Sequence, residues 1–220
     1  MSEYVRPVIA AKLCRDADGS VIAYGSRWGI EGPPEDTYSV DSHPERFEPV
    51  HRIAEALIEY LQREYDVQII DDLSCAADVR YNVNARRAVR VAPRSSDAAS
   101  LTFVFTDYPG LVVHAGLLHD FLYPQCGCDA CDENWESVAD ELERTVLAVV
   151  SGGYREEVRG GETDVWVRSR LDRADGCRTS SNRADPTAGI GADLQAASGR
   201  LTALPDGWAP WVRRSAGNRT

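Results

Sequence analysis

The most regular apolar pattern in the chain is Phe47, Val50, Ala54, Leu57, Ile58, Leu61 and Tyr65. Steps of three and four residues place these side chains on one face of a helix of about six turns. Ser42, with Glu45 three residues on, reads as a capping box, and Pro44 suits a first turn. A second helix is predicted from about Asn134 to Ser151, with Trp135, Val138, Leu142, Val146 and Val149 on one face and Gly152-Gly153 ending it.

Between these helices the helical period gives way to short apolar runs. Asp66 to Ile70, residues 79 to 92, Leu101 to Thr106 and Leu111 to Ala115 read as strands. Tyr108-Pro-Gly-Leu111 carries a type II turn signal, with Gly110 expected at positive φ. Tyr4 to Leu13 and Val21 to Tyr24 flank a turn at Asp16 to Gly19, which predicts a hairpin; Asp16-x-Asp18-Gly19 lacks the later ligands of a calcium loop. Residues 154 to 171 hold one or two further strands, with Val165-Trp-Val167 the strongest. From Arg173 to about Gly189 the chain is polar and reads as a linker, and an apolar tail around Trp208 and Trp211 is expected to dock. Hairpins combined with separate helices predict an α+β fold, an antiparallel sheet packed against two amphipathic helices. The expected division is a core over 1–171, a flexible linker or loop over 172–190 and a docking C-terminal segment over 191–220.

A length of 220 residues with 43% hydrophobic and 27% charged residues fits a single globular domain. The balance of 35 acidic against 24 basic residues, net -11, opposes general nucleic-acid binding, which draws on surplus positive charge. The same charge disfavours an anionic membrane surface. No apolar run approaches the roughly 18 residues of a membrane span, and no signal-peptide pattern opens the chain. A cytoplasmic location with reduced cysteines is therefore expected. Lys12 is the only lysine among the basic residues, and that arginine bias points to a GC-rich bacterial genome.

The sharpest chemical feature is Cys126-Gly-Cys-Asp-Ala-Cys131, three thiols on one short segment. Three soft thiolates can supply three corners of a tetrahedral zinc site. A tight turn ahead of the second helix and a redox-active cluster compete with that reading. His119 is the expected fourth zinc ligand, with His114, Asp129, Asp132 and Cys75 as further options. A structural zinc would pin the end of the hairpin to the start of the second helix.

Arg80, Arg86, Arg87, Arg90 and Arg94 lie in an acid-free stretch, and pairing with acids such as Asp71 and Asp72 on a neighbouring strand is favoured over phosphate binding. The serine-hydrolase, metalloprotease, P-loop and dinucleotide motifs are absent from the sequence. His43 and His51 read as capping or packing residues. Glu156-Glu157 and Asp71-Asp72 lack the apolar setting that would separate two carboxylate pKa values. Two functional alternatives stand beside a zinc-stabilised domain. One is an acidic, immunity-type module that neutralises a basic protein partner. The other is an enzyme of unspecified substrate built on the Arg27/Trp28 loop and the cysteine cluster.

Four segments carry a resemblance: Gly25-Ser-Arg-Trp-Gly29, Asp36 to Phe47, Cys126 to Glu133 and Leu204-Pro-Asp-Gly-Trp-Ala-Pro-Trp211. Together they resemble a family of uncharacterised actinobacterial proteins. The resemblance implies a one-domain bacterial cytoplasmic protein and brings no activity, substrate or cofactor.

Overall fold

In the computed structural model, which describes residues 3–160, 164–184 and 191–215, the first predicted helix forms in two pieces. A 3-10 turn over Pro44–Phe47 runs into α1, Glu48–Glu64. Every residue of the predicted stripe is buried. The capping box does not form. The Ser42 hydroxyl donates instead to the Asp129 carboxylate at 2.5 Å, and Glu45 pairs with the His43 ring at 3.0 Å. A charged acceptor outcompetes a backbone amide for the hydroxyl.

Five strands follow, β1 Val67–Asp71, β2 Ala85–Pro93, β3 Leu101–Thr106, β4 Leu111–Ala115 and β5 His119–Tyr123, antiparallel and in chain order. The central strands β3 and β4 coincide with the predicted runs and are buried along their whole length. Phe103, Phe105, Leu111 and Val113 join the core beneath α1 and the second helix. Val104 and Val112 face a 3-10 turn over Leu73–Asp78, where Cys75 and Val79 cover them. Burial on both faces is why these strands read as unbroken apolar runs. The β3–β4 turn reverses the chain as expected, but Gly110 is not at positive φ. It serves a close approach: a Cβ there would lie 2.9 Å from the Tyr123 carbonyl oxygen.

The second helix, α2 Trp135–Val150, begins at Asn134, whose side chain accepts the Ser137 amide at 2.8 Å. A second antiparallel sheet then forms from β6 Tyr154–Gly160, β7 Val165–Arg173 and β8 Gly176–Ala184. Strand β8 replaces most of the expected linker, and its register with β7 is unbroken from Val165↔Ala184 to Arg173↔Gly176. An antiparallel strand at a sheet edge is held by its ladder and can face water, so it needs no apolar run. Residues 185–190 of that expected linker lie outside the described residues. Helix α3, Gly191–Thr202, was not predicted, and it buries Leu194, Ala197 and Leu201.

The tail docks through both tryptophans, with the Trp211 indole N–H donating to the Ala99 carbonyl at 2.9 Å and that of Trp208 to Glu156 at 3.0 Å. At the other end the hairpin reduces to one bridge, Arg15↔Val21, around a turn in which Asp16 accepts the Asp18 and Ser20 amides. Tyr4 and Arg6 bind α2 through their side chains rather than a partner strand. The Tyr4 hydroxyl donates to Glu143 at 2.7 Å, and Arg6 reaches Asp140 and Glu143.

Of the acid-free stretch, Arg86, Arg87, Arg90 and Arg94 pair with Asp107, Asp71, Asp78 and Asp66 respectively. Arg80 presents its backbone amide to Asp120 at 2.8 Å. No described helix is long and apolar enough to cross a membrane.

Candidate metal centre

Strand β5 delivers the chain through the cis Tyr123–Pro124 bond into the cysteine loop. There the sulfurs of Cys126, Cys128 and Cys131 all lie within 4.8 Å of one another, and those of Cys126 and Cys128 are 3.3 Å apart. Zinc–sulfur bonds of about 2.3 Å in a tetrahedron separate sulfurs by roughly 3.8 Å, so the spacing suits a shared ion. A 3-10 turn over Asp129–Cys131 brings the third thiol back, and Asp132 ends it at φ 53°. Cys128 is 9% exposed, whereas Cys126 and Cys131 open to solvent.

Two arginines hold this loop from the N-terminal side. Arg46, buried beside Phe47, donates to the carbonyls of His43 (2.9 Å), Gly127 (2.7 Å) and Glu133 (3.1 Å). Its guanidinium also lies 4.1 Å from the Tyr24 ring centre and 4.3 Å from that of Phe47. Arg27 pairs with Asp132 at 2.5 Å, donates to the Asp129 carbonyl and stacks between Tyr24 and Trp28. Asp129 accepts from Ser42 and, at 3.2 Å, from the Tyr24 hydroxyl, while its amide donates to the Val40 carbonyl at 2.7 Å. The loop backbone is thus fixed by charge-assisted bonds that do not involve the thiols.

Gly127 allows the loop to cross Tyr108, because a Cβ there would stand 1.8 Å from the Tyr108 hydroxyl oxygen. Gly127→Ala is expected to cost about 1–3 kcal/mol through overpacking. A urea denaturation midpoint equal to that of the unmodified protein would contradict this placement.

The thiols are electrostatically unequal. The Cys131 backbone N–H and the Cys126 thiol stabilise the Cys128 thiolate and lower its pKa to about 7. Hydrogen bonding to Cys126 and Cys128 pushes Cys131 up to about 12. One thiolate forms readily and the next meets its repulsion, which a shared cation relieves. Glu133 flanks the trio; burial raises its carboxyl pKa against the opposing pull of the Gln125 and Cys126 amides.

The other expected ligands do not join the trio. His119 is not in the group. It pairs with Ala115 at the far end of β5, while Tyr123 beside the loop pairs with Leu111. Four residue steps of strand, about 13 Å, separate those ends. The His119 ring meets that of Phe121 edge-on at 4.5 Å, and burial lowers its pKa to about 4. His114 is buried against Asp120 at 2.6 Å. Cys75 sits under the opposite face of the sheet, and Asp129 and Asp132 are engaged as described. His43 sits at the N-cap of the Pro44–Phe47 turn but makes no side-chain cap bond, its ring pairing with Glu45 instead, and His51 bonds the Gly110 carbonyl at 2.7 Å.

Two features were not foreseen. Arg46 gave no signal beyond its place next to an apolar stripe, because its partners are distant in sequence. Glu156 is buried rather than solvated: it accepts the amides of Leu117 (3.0 Å) and Leu118 (2.7 Å) as well as the Trp208 indole. Its place between Tyr154 and Val158, at the strand period of two that puts all three on one face, is the signal that could have revealed it.

No curated protein and no solved structure is detectably similar to the chain. A family model described as a family of unknown function (DUF6226) matches residues 10–215. That span takes in the three cysteines, both clamping arginines and both docked tryptophans, and the chain belongs to this DUF6226 family.

Proposed function

We propose that the protein holds one zinc ion on Cys126, Cys128 and Cys131, as a structural centre that ties the loop between β5 and α2 into one piece. The gathering of three sulfurs within 4.8 Å, on a backbone already fixed by Arg27 and Arg46, carries this reading. Three thiolates select a soft or borderline ion such as zinc over magnesium or calcium. Among the described residues no fourth His, Cys, Asp or Glu donor joins the group. The fourth position therefore takes solvent or an exchangeable ligand, so the centre ties the loop together while keeping the open position that closed, four-ligand structural sites lack.

Cobalt(II) titration tests this directly, since cobalt replaces zinc and reports its ligands in its absorption. The expected spectrum has tetrahedral visible bands and thiolate charge transfer in the near ultraviolet, and Cys128→Ser removes most of the latter. A weak octahedral spectrum with no charge-transfer band would overturn the assignment.

A further inference from the structure

We infer that Cys14, His43 and Glu45 form a second divalent-metal site, with mixed sulfur, nitrogen and oxygen ligands and one open position. One donor atom from each of the three lies within 4.8 Å of the other two. The backbone sets each donor in place. The Cys14 carbonyl accepts the Ile22 amide at 2.9 Å, next to the Arg15↔Val21 bridge. His43 and Glu45 straddle the start of the Pro44–Phe47 turn, and Arg46 holds the His43 carbonyl at 2.9 Å. The Tyr24 ring meets the His43 ring edge-on at 6.4 Å.

The donor set decides the ion. A His–Glu pair alone is an ordinary surface contact, here 3.0 Å long. A thiol 8% exposed at the same point adds a soft ligand. Thiolate, imidazole and carboxylate are the three donor types of protein zinc sites, while the sulfur disfavours calcium and magnesium. With three protein ligands the fourth position is left to water, the coordination that lowers the pKa of zinc-bound water towards 7. The site shares no ligand with the cysteine trio. Arg46 nevertheless joins the two, since one guanidinium nitrogen bonds the His43 carbonyl and the other that of Gly127. Sequence spacing gives no hint of it, because Cys14 meets the histidine only through the folded N-terminal segment.

The test uses the full chain with Cys126, Cys128 and Cys131 all changed to Ser, incubated with zinc sulfate, desalted and analysed for zinc. About one zinc per chain is expected to remain. Adding His43→Gln should reduce it at least tenfold. A triple-Ser variant with His43 intact that is folded by circular dichroism yet retains less than a tenth of an equivalent would overturn the second site. Should the triple variant not fold, Cys14→Ala and His43→Gln in the otherwise native chain decide. Each is expected to lower the zinc content by about one equivalent, and an unchanged content would refute the inference. Loss of metal in the Cys128 variant alone bears on the first site and leaves this one standing.

Discussion

Arg46→Ala is expected to cost about 3–5 kcal/mol of folding stability. The guanidinium donates to three carbonyls, on His43, Gly127 and Glu133, and lies over two aromatic rings. Truncation leaves those carbonyls at a buried place without their donor, and each orphaned acceptor costs about 1–3 kcal/mol unless water replaces it. It also releases the cysteine loop from the first helix. Arg46→Lys keeps the charge but loses the planar fork, so it should recover less than half of the loss. Urea denaturation of the three proteins measures both effects. An alanine variant within 1 kcal/mol of the native protein would show that the loop is held by other contacts.

Glu156→Ala is expected to destabilise by about 2–4 kcal/mol, since two backbone amides and the Trp208 indole lose a common acceptor. The effect should reach the tail, because Trp208 is held to β6 by that indole bond and by its own amide on the Tyr154 carbonyl. Glu156 also imposes a pH dependence. Burial raises its carboxyl pKa above the unfolded value, so the folded protein binds this proton more tightly than the unfolded chain. Its contribution to stability is therefore greatest at low pH. It falls as pH rises from about 4.3, the ordinary glutamate value, through the folded pKa. Glu156→Gln cannot titrate, so the stability of the native protein relative to this variant should decline between pH 4 and pH 7. A constant or rising difference would mean that the three donors outweigh burial.

Periodic burial explains what was legible in the sequence. Val50, Leu57, Leu61 and their neighbours on α1 repeat at the helical period because one face meets the core. β3 and β4 read as apolar runs because both faces are covered. β8 left no such trace, since its bonds to β7 are made by backbone and its side chains are free to be polar. The residues at 4–13 looked like a strand because Tyr4 and Ile9 are apolar, yet both pack against helices and core from an extended arm.

In the site itself, the three cysteines were legible because they are neighbours in the chain. Their surroundings were not. The choice of His119 assumed that the chain folds back between it and Cys126, whereas β5 runs straight and carries His119 to the opposite end of the hairpin. The clamps from Arg27 and Arg46 span much of the chain, and local spacing carries no information about such pairs. Glu156 beside Glu157 resembled a solvated pair, although strand alternation turns the first inward.

Whether the cysteine loop is a metal centre is decided by a difference in zinc content. The native chain and Cys128→Ser, purified side by side without chelator, are compared by elemental analysis. The native chain is predicted to hold about one more zinc per molecule, with its cysteine trio correspondingly protected from thiol reagents until the metal is removed. Equal zinc contents in the two folded proteins, with all three thiols freely titratable in the native one, would contradict the account.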